Sequence, residues 1–114
     1  MERLELDTRG IPTGRRTAFP PFAGALDDLV FDDGFASPEP PRIAVSGETR
    51  RVEVKLGPGF SFAQVFAPRS PEVVALEPMT APANALVSGD GLRLVEPGSR
   101  FTASYRIGVT QVGG

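Results

Sequence analysis

Proline is the residue that most limits what this chain can build. Twelve prolines are scattered through 114 residues, at positions 12, 20, 21, 38, 40, 41, 58, 68, 71, 78, 82 and 97, and the longest Pro-free stretch is 17 residues. A proline inside a helix removes one backbone hydrogen bond, clashes with the preceding turn and costs about 3 kcal/mol. Long helices are therefore excluded, and the segments between the prolines read as strands. In Arg51-Val52-Glu53-Val54-Lys55-Leu56 the apolar and charged residues separate at period two, the pattern of a strand with one dry face. Phe101 to Val109 repeats it, with apolar residues at the odd positions. Arg42-Ile43-Ala44-Val45 and Leu92-Arg93-Leu94-Val95 are shorter candidates. Gly57-Pro58-Gly59, Gly89-Asp90-Gly91 and Pro97-Gly98-Ser99 punctuate them as turns.

The expected class is all-β, an antiparallel β-sandwich in a single domain. Leu, Ile, Val and Phe make up 31 of the 114 residues, enough for a core. Residues 41–114 hold the antiparallel strands. Residues 1–40 are rich in Pro, Gly and Asp and weakly periodic, so they read as a loop-rich leading segment. Within it Ala25 to Phe31 is expected to make one helical turn, and Phe19, Phe22, Leu26, Leu29, Phe31 and Phe35 imply that it packs onto something.

Charge and composition remove several function classes. The 12 basic and 14 acidic residues leave a net charge of −2 without a basic concentration, so nucleic acid is not the expected partner. No segment carries the run of about 18 apolar residues that a membrane helix needs, and the start has no signal-peptide core. The expectation is a cytoplasmic protein with no membrane partner. Cysteine and histidine are both absent. Thiolate and imidazole metal sites are thereby excluded, no cofactor is expected, and any acid–base chemistry by this chain falls to carboxylates, Lys, Arg, Tyr or Ser.

Two segments carry candidate chemistry. Phe60-Ser61-Phe62-Ala63-Gln64-Val65-Phe66 sets Phe60, Phe62, Gln64 and Phe66 on one strand face. That face is either an aromatic core with one satisfied amide or an aromatic-lined surface with the amide aimed at a ligand hydroxyl. In Val73 to Pro82 a single carboxylate, Glu77, ends an apolar run and shares its face with Val73 and Ala75. Pro78 directly after it stops the ladder and holds the side chain at a strand end. Partial burial there would raise its pKa toward the range of a general base. The bland alternatives are an ion pair with Arg69 or Arg93, or plain exposure.

Val74-Ala75-Leu76-Glu77-Pro78-Met79-Thr80-Ala81-Pro82-Ala83-Asn84-Ala85-Leu86 closely resembles the C-terminal signature of aldose 1-epimerases, the galactose mutarotase-like family. Further segments resemble that family in order: Gly10-Ile11-Pro12-Thr13-Gly14, Phe31-Asp32-Asp33-Gly34-Phe35, Ala63-Gln64-Val65-Phe66-Ala67-Pro68, and Gly98-Ser99-Arg100-Phe101 before the last strand. The resemblance spans nearly the whole chain but only about the last third of a typical member. It implies the C-terminal part of a galactose mutarotase-like β-supersandwich domain, with Glu77 as catalytic base and Gln64 and Asp32 as sugar-contacting residues; Asp33, beside Asp32, competes for that place. The family's general acid is a His from the preceding part of the fold, which this chain does not hold.

The implied reaction is interconversion of the α and β anomers of an aldohexose. A base removes the anomeric hydroxyl proton, an acid protonates the ring oxygen, the ring opens and recloses, and no cofactor takes part. Phe62 or Phe66 would pack on the sugar's apolar face. Without its acid the chain is expected to be inactive alone, with partners limited to the sugar and either the missing N-terminal segment or a second copy at exposed sheet edges. A non-catalytic carbohydrate-binding sandwich is the alternative from another class. A hexose-phosphate epimerase is a third, for which Arg9, Arg15 and Arg16 are the basic group at hand.

Overall fold

The computed structural model describes residues 1–113. Eight strands and one short helix follow one another: β1 (Glu2–Leu6), β2 (Pro12–Ala18), β3 (Phe31–Ala36), β4 (Arg42–Ser46), β5 (Arg50–Leu56), β6 (Phe62–Ala67), β7 (Ala75–Met79), α1 (Ala85–Ser88) and β8 (Tyr105–Gln111). They form a five-stranded sheet in the order β2-β1-β3-β6-β7 and a three-stranded sheet in the order β4-β5-β8. Every described pairing is antiparallel. The all-β class is therefore as expected.

The two sheets meet through one face of each. Val54 and Leu56 of β5 bury against Ala63 of β6, with Ile43, Phe60 and Leu76 packed around them. The alternation in Arg51 to Leu56 thus turns its apolar half toward the other sheet. A second small core lies on the opposite face of the five-stranded sheet, where Leu4, Ala36 and Phe62 bury with Met79 against them. Phe62 and Ala63 are successive residues of β6, so this strand serves the two cores by turns.

Several local expectations change. The leading segment 1–40 contains β1, β2 and β3, three strands of the larger sheet. β2 is an edge strand, exposed along nearly its whole length, and an edge strand can be held by its backbone pairing to β1 without an apolar face to advertise it. The expected helical turn between Ala25 and Phe31 is a tight turn, with the Leu29 N–H donating to the Leu26 carbonyl at 2.6 Å and Asp27 at φ 43°. Leu92 to Val95 forms no strand, and Leu94 and Val95 face solvent. The strand expected from Phe101 begins only at Tyr105. Its partner β5 ends at Leu56, where the Gly57-Pro58-Gly59 turn leaves the ladder after Gly57 N–H donates to the Ser104 carbonyl at 2.8 Å.

The apolar face of β8 is present but uncovered. Tyr105, Ile107 and Val109 lie opposite Leu56, Val54 and Val52 and share their face, yet Ile107 and Val109 are 61% and 60% exposed. The larger sheet covers β5 and stops short of β8. Among the described residues no helix is long and apolar enough to cross a membrane.

Candidate functional site

Antiparallel register decides which polar groups share a face. Gly34 of β3 lies opposite Gln64 of β6, and Gln64 lies opposite Glu77 of β7, so the three form one row across the sheet. Two residues along in one direction the row is Ala36, Phe62 and Met79; in the other it is Asp32, Phe66 and Ala75. Because side chains alternate, Asp32, Gln64 and Glu77 all project from the face that carries the Phe62 core, away from the inter-sheet contact. They line one cleft of about 490 Å³, whose walls include Leu4, Pro12, Phe62, Met79 and Pro82.

Within the cleft the Gln64 Nε2 donates to Asp32 Oδ1 at 3.0 Å. An amide has two N–H donors and a carboxylate accepts through both oxygens, so the pair keeps donor and acceptor capacity for a polyol. Gly34 makes this arrangement fit. A Cβ at Gly34 would stand 3.2 Å from Gln64 Oε1 and 3.1 Å from Leu4 Cδ1, tighter than ordinary contact. The sequence signal for this residue is a glycine inside a strand, which often marks close approach by another group.

Glu77 departs from the sequence-based expectation in two respects. It lies at the centre of β7, and Pro78 continues the strand opposite Ala63. β7 is the outer strand of its sheet, where a residue without an N–H is tolerated. Glu77 is also exposed, where the sequence suggested partial burial. Among the described residues the ion pairs are Arg9–Asp7, Arg16–Asp90 and Arg51–Glu53, and neither Arg69 nor Arg93 pairs with Glu77. Glu77 does share its face with Ala75, whereas Val73 precedes the strand.

The aromatic residues divide. Phe62 is buried and lines the cleft, while Phe66 is half open on the same strand face and lies outside the lining. Phe60 precedes β6 and turns into the inter-sheet core, its ring 5.8 Å from that of Tyr105, so the expected four-residue face does not include it. Asp32 and Asp33 separate by the same alternation. Asp32 enters the cleft, and Asp33 sits on the opposite face opposite Val65, beside Arg3, Glu5 and Arg15.

The Gly10-to-Gly14 segment reaches the site through Gly10 and Pro12. Its turn is held by Asp7, whose Oδ1 accepts the N–H groups of Arg9 at 2.8 Å and Ile11 at 3.0 Å. The Ile11 N–H is the main cause that holds the Asp7 carboxyl below its ordinary value of 3.8, with burial working the other way and the Arg9 N–H and charge assisting. Among the described residues there is no cluster of three or more His, Cys, Asp and Glu able to hold a metal ion. No family model, curated protein or solved structure matches this chain.

Proposed function

We propose that the cleft is a sugar site of the aldose 1-epimerase type, with Glu77 as the base and Gln64 and Asp32 as hydroxyl-binding groups. The observation that supports it is convergence. Three residues from three separated segments, Gln64 and Glu77 marked by their own strand patterns and Asp32 by the resemblance, line one cleft on one sheet face. A pyranose offers alternating hydroxyl donors and acceptors around an apolar ring face. The Gln64–Asp32 pair suits the first, and the apolar cleft walls at Met79 and Pro82 suit the second.

In the proposed reaction the Glu77 carboxylate takes the proton of the anomeric hydroxyl while an acid protonates the ring oxygen. The C1–O5 bond breaks, the aldehyde rotates, and closure on its other face returns both protons. The chain has no His to serve as that acid. A segment outside this chain must supply it, and catalysis by the chain alone should be weak or absent. A positioned acid or base is worth about 10²–10⁴-fold. Polarimetry of freshly dissolved α-D-galactose and α-D-glucose tests this directly. The expected result is no rate above buffer with the chain alone, and a rate with the chain extended upstream that falls at least about 10²-fold in Glu77→Gln. An extended chain whose rate survives Glu77→Gln would overturn the assignment.

The absence of His favours one second reading, a carbohydrate-binding module without catalysis. It shares the cleft and predicts saturable sugar binding, but no mutarotation in either form of the chain. The phosphate-sugar alternative finds less support. Arg9 pairs with Asp7, Arg16 pairs with Asp90, and Arg15 lines the shallow depression on the opposite face.

A further inference from the structure

The segment that follows β7 crosses the cleft face and is caught on the far side of the sheet. β7 and β2 are the two outer strands of the five-stranded order. Four strand spacings of about 4.8 Å separate them, roughly 19 Å. Pro82 and Ala83 line the cleft, Ala85 is buried, and Gly91 lies directly on the Phe62 ring. A Cβ at Gly91 would stand 2.8 Å from Phe62 Cε2, and its φ of +65° is one that side-chain-bearing residues rarely adopt. At the end of this path Arg16 Nη2 of β2 donates to Asp90 Oδ1 at 3.3 Å and Oδ2 at 3.5 Å. The Arg16 guanidinium also lies over the Phe62 ring, 5.5 Å from its centroid.

The other polar contacts of this segment close on itself. Val87 and Ser88 N–H donate to the Asn84 carbonyl, Gly89 N–H to Ala85, Leu92 N–H to Gly89, and Asp90 N–H to Ser88 Oγ. Among the described residues, the side-chain hydrogen bond that ties this strap to the sheet is Arg16–Asp90. The two side chains keep about a third of their surface in water, 32% and 39%. Such a pair is weak and screened by salt, so it suits a fastening that opens and closes.

We propose that Arg16 and Asp90 are positioning residues, a clasp that fastens the Pro82–Gly91 strap over Phe62 and so sets the rim of the cleft. Its consequence for sugar rests on the proposed function; the clasp itself does not. Opening the clasp frees the strap at its β2 end and widens the cleft beside Phe62. Closing it returns Pro82 and Ala83 to the wall facing Gln64 and Glu77.

The test is amide hydrogen exchange across Ala85–Gly91 in the full chain, at about 0.01 M and about 1 M NaCl, between which the screening length falls from about 30 Å to about 3 Å. The wild-type strap should exchange about two- to fivefold faster at high salt, the range an exposed ion pair supplies. Arg16→Met, which keeps an unbranched side chain without the charge, and Asp90→Asn should each raise exchange by a similar factor at low salt and remove its salt dependence. The charge-swapped pair Arg16→Asp with Asp90→Arg should restore both properties, which simple loss of packing would not allow. Strap exchange indifferent to salt in the wild type overturns the clasp even if a variant fails to fold. A D-galactose titration of the same proteins separates the two readings. Binding weakened two- to fivefold in the variants supports the positioning role, and binding unchanged in them overturns it. No galactose binding by the wild type overturns the sugar reading and leaves the clasp to be judged by exchange.

Discussion

Phe62 and Phe66 project from the same face of β6, four residues apart, and a period-two reading treats them as equals. Their replacement by Ala should not be equal. Phe62 is 6% exposed, packed with Leu4, Ala36 and Met79 below Arg16 and Gly91, whereas Phe66 is 39% exposed beside Asp32 and Ala75. Truncating a buried Phe costs about 3–5 kcal/mol from lost transfer energy and the cavity left behind. Here the space opens toward the cleft and water can enter, which places Phe62→Ala near the lower end, about 3 kcal/mol. Phe66→Ala loses only part of its burial and leaves no enclosed cavity, so about 1 kcal/mol is expected. With an unfolding entropy of about 2.1 cal/mol/K per residue over 114 residues, these correspond to falls in Tm of about 12 °C and about 4 °C. Thermal unfolding followed by far-ultraviolet circular dichroism reads both variants under one condition. Equal shifts, or a larger one for Phe66→Ala, would refute the placement of Phe62 beneath the strap.

Gly34→Ala should leave overall stability within about 1 kcal/mol, because reduced freedom of the unfolded chain offsets the crowding, while displacing Gln64; loss of the Gln64–Asp32 coupling in side-chain amide NMR spectra would show it, and an unmoved Gln64 signal would contradict the tight fit. Glu77→Gln should change stability by no more than about 0.5 kcal/mol, since the side chain is exposed and outside the described ion pairs; a clear drop in Tm would mean a structural role. Asp7 carries the pH prediction. Its folded pKa lies below the ordinary 3.8, so its stabilisation is complete above that value and is lost as pH falls through the lower folded value. In Asp7→Asn the acid-side decline should be shallower than in the wild type, and superimposable pH profiles would remove Asp7 from the account.

The all-β class was legible because prolines forbid long helices locally and because Arg51 to Leu56 states its two faces residue by residue. Both signals are short-range and survive without knowledge of neighbours. Of the candidate site, the residues themselves marked only Gln64 and Glu77, each alone, and Asp32 entered through the resemblance; that all three line one cleft was not legible. Their meeting depends on which strands lie side by side, and the order β2-β1-β3-β6-β7 joins segments dozens of residues apart. Edge placement explains two differences at once: β2 needs no apolar stripe, and β7 accepts Pro78 in mid-strand. The exposure of the β8 apolar face likewise follows from where the covering sheet ends, whereas Glu77 is open because it lies on the other face of the larger sheet, at an outer strand. Alternation along a strand determines which residues share a face, and only the packed neighbour decides whether that face is dry. Arg16 and Asp90, 74 positions apart, are joined solely because a strap crosses the sheet, a contact that no local pattern in the chain encodes.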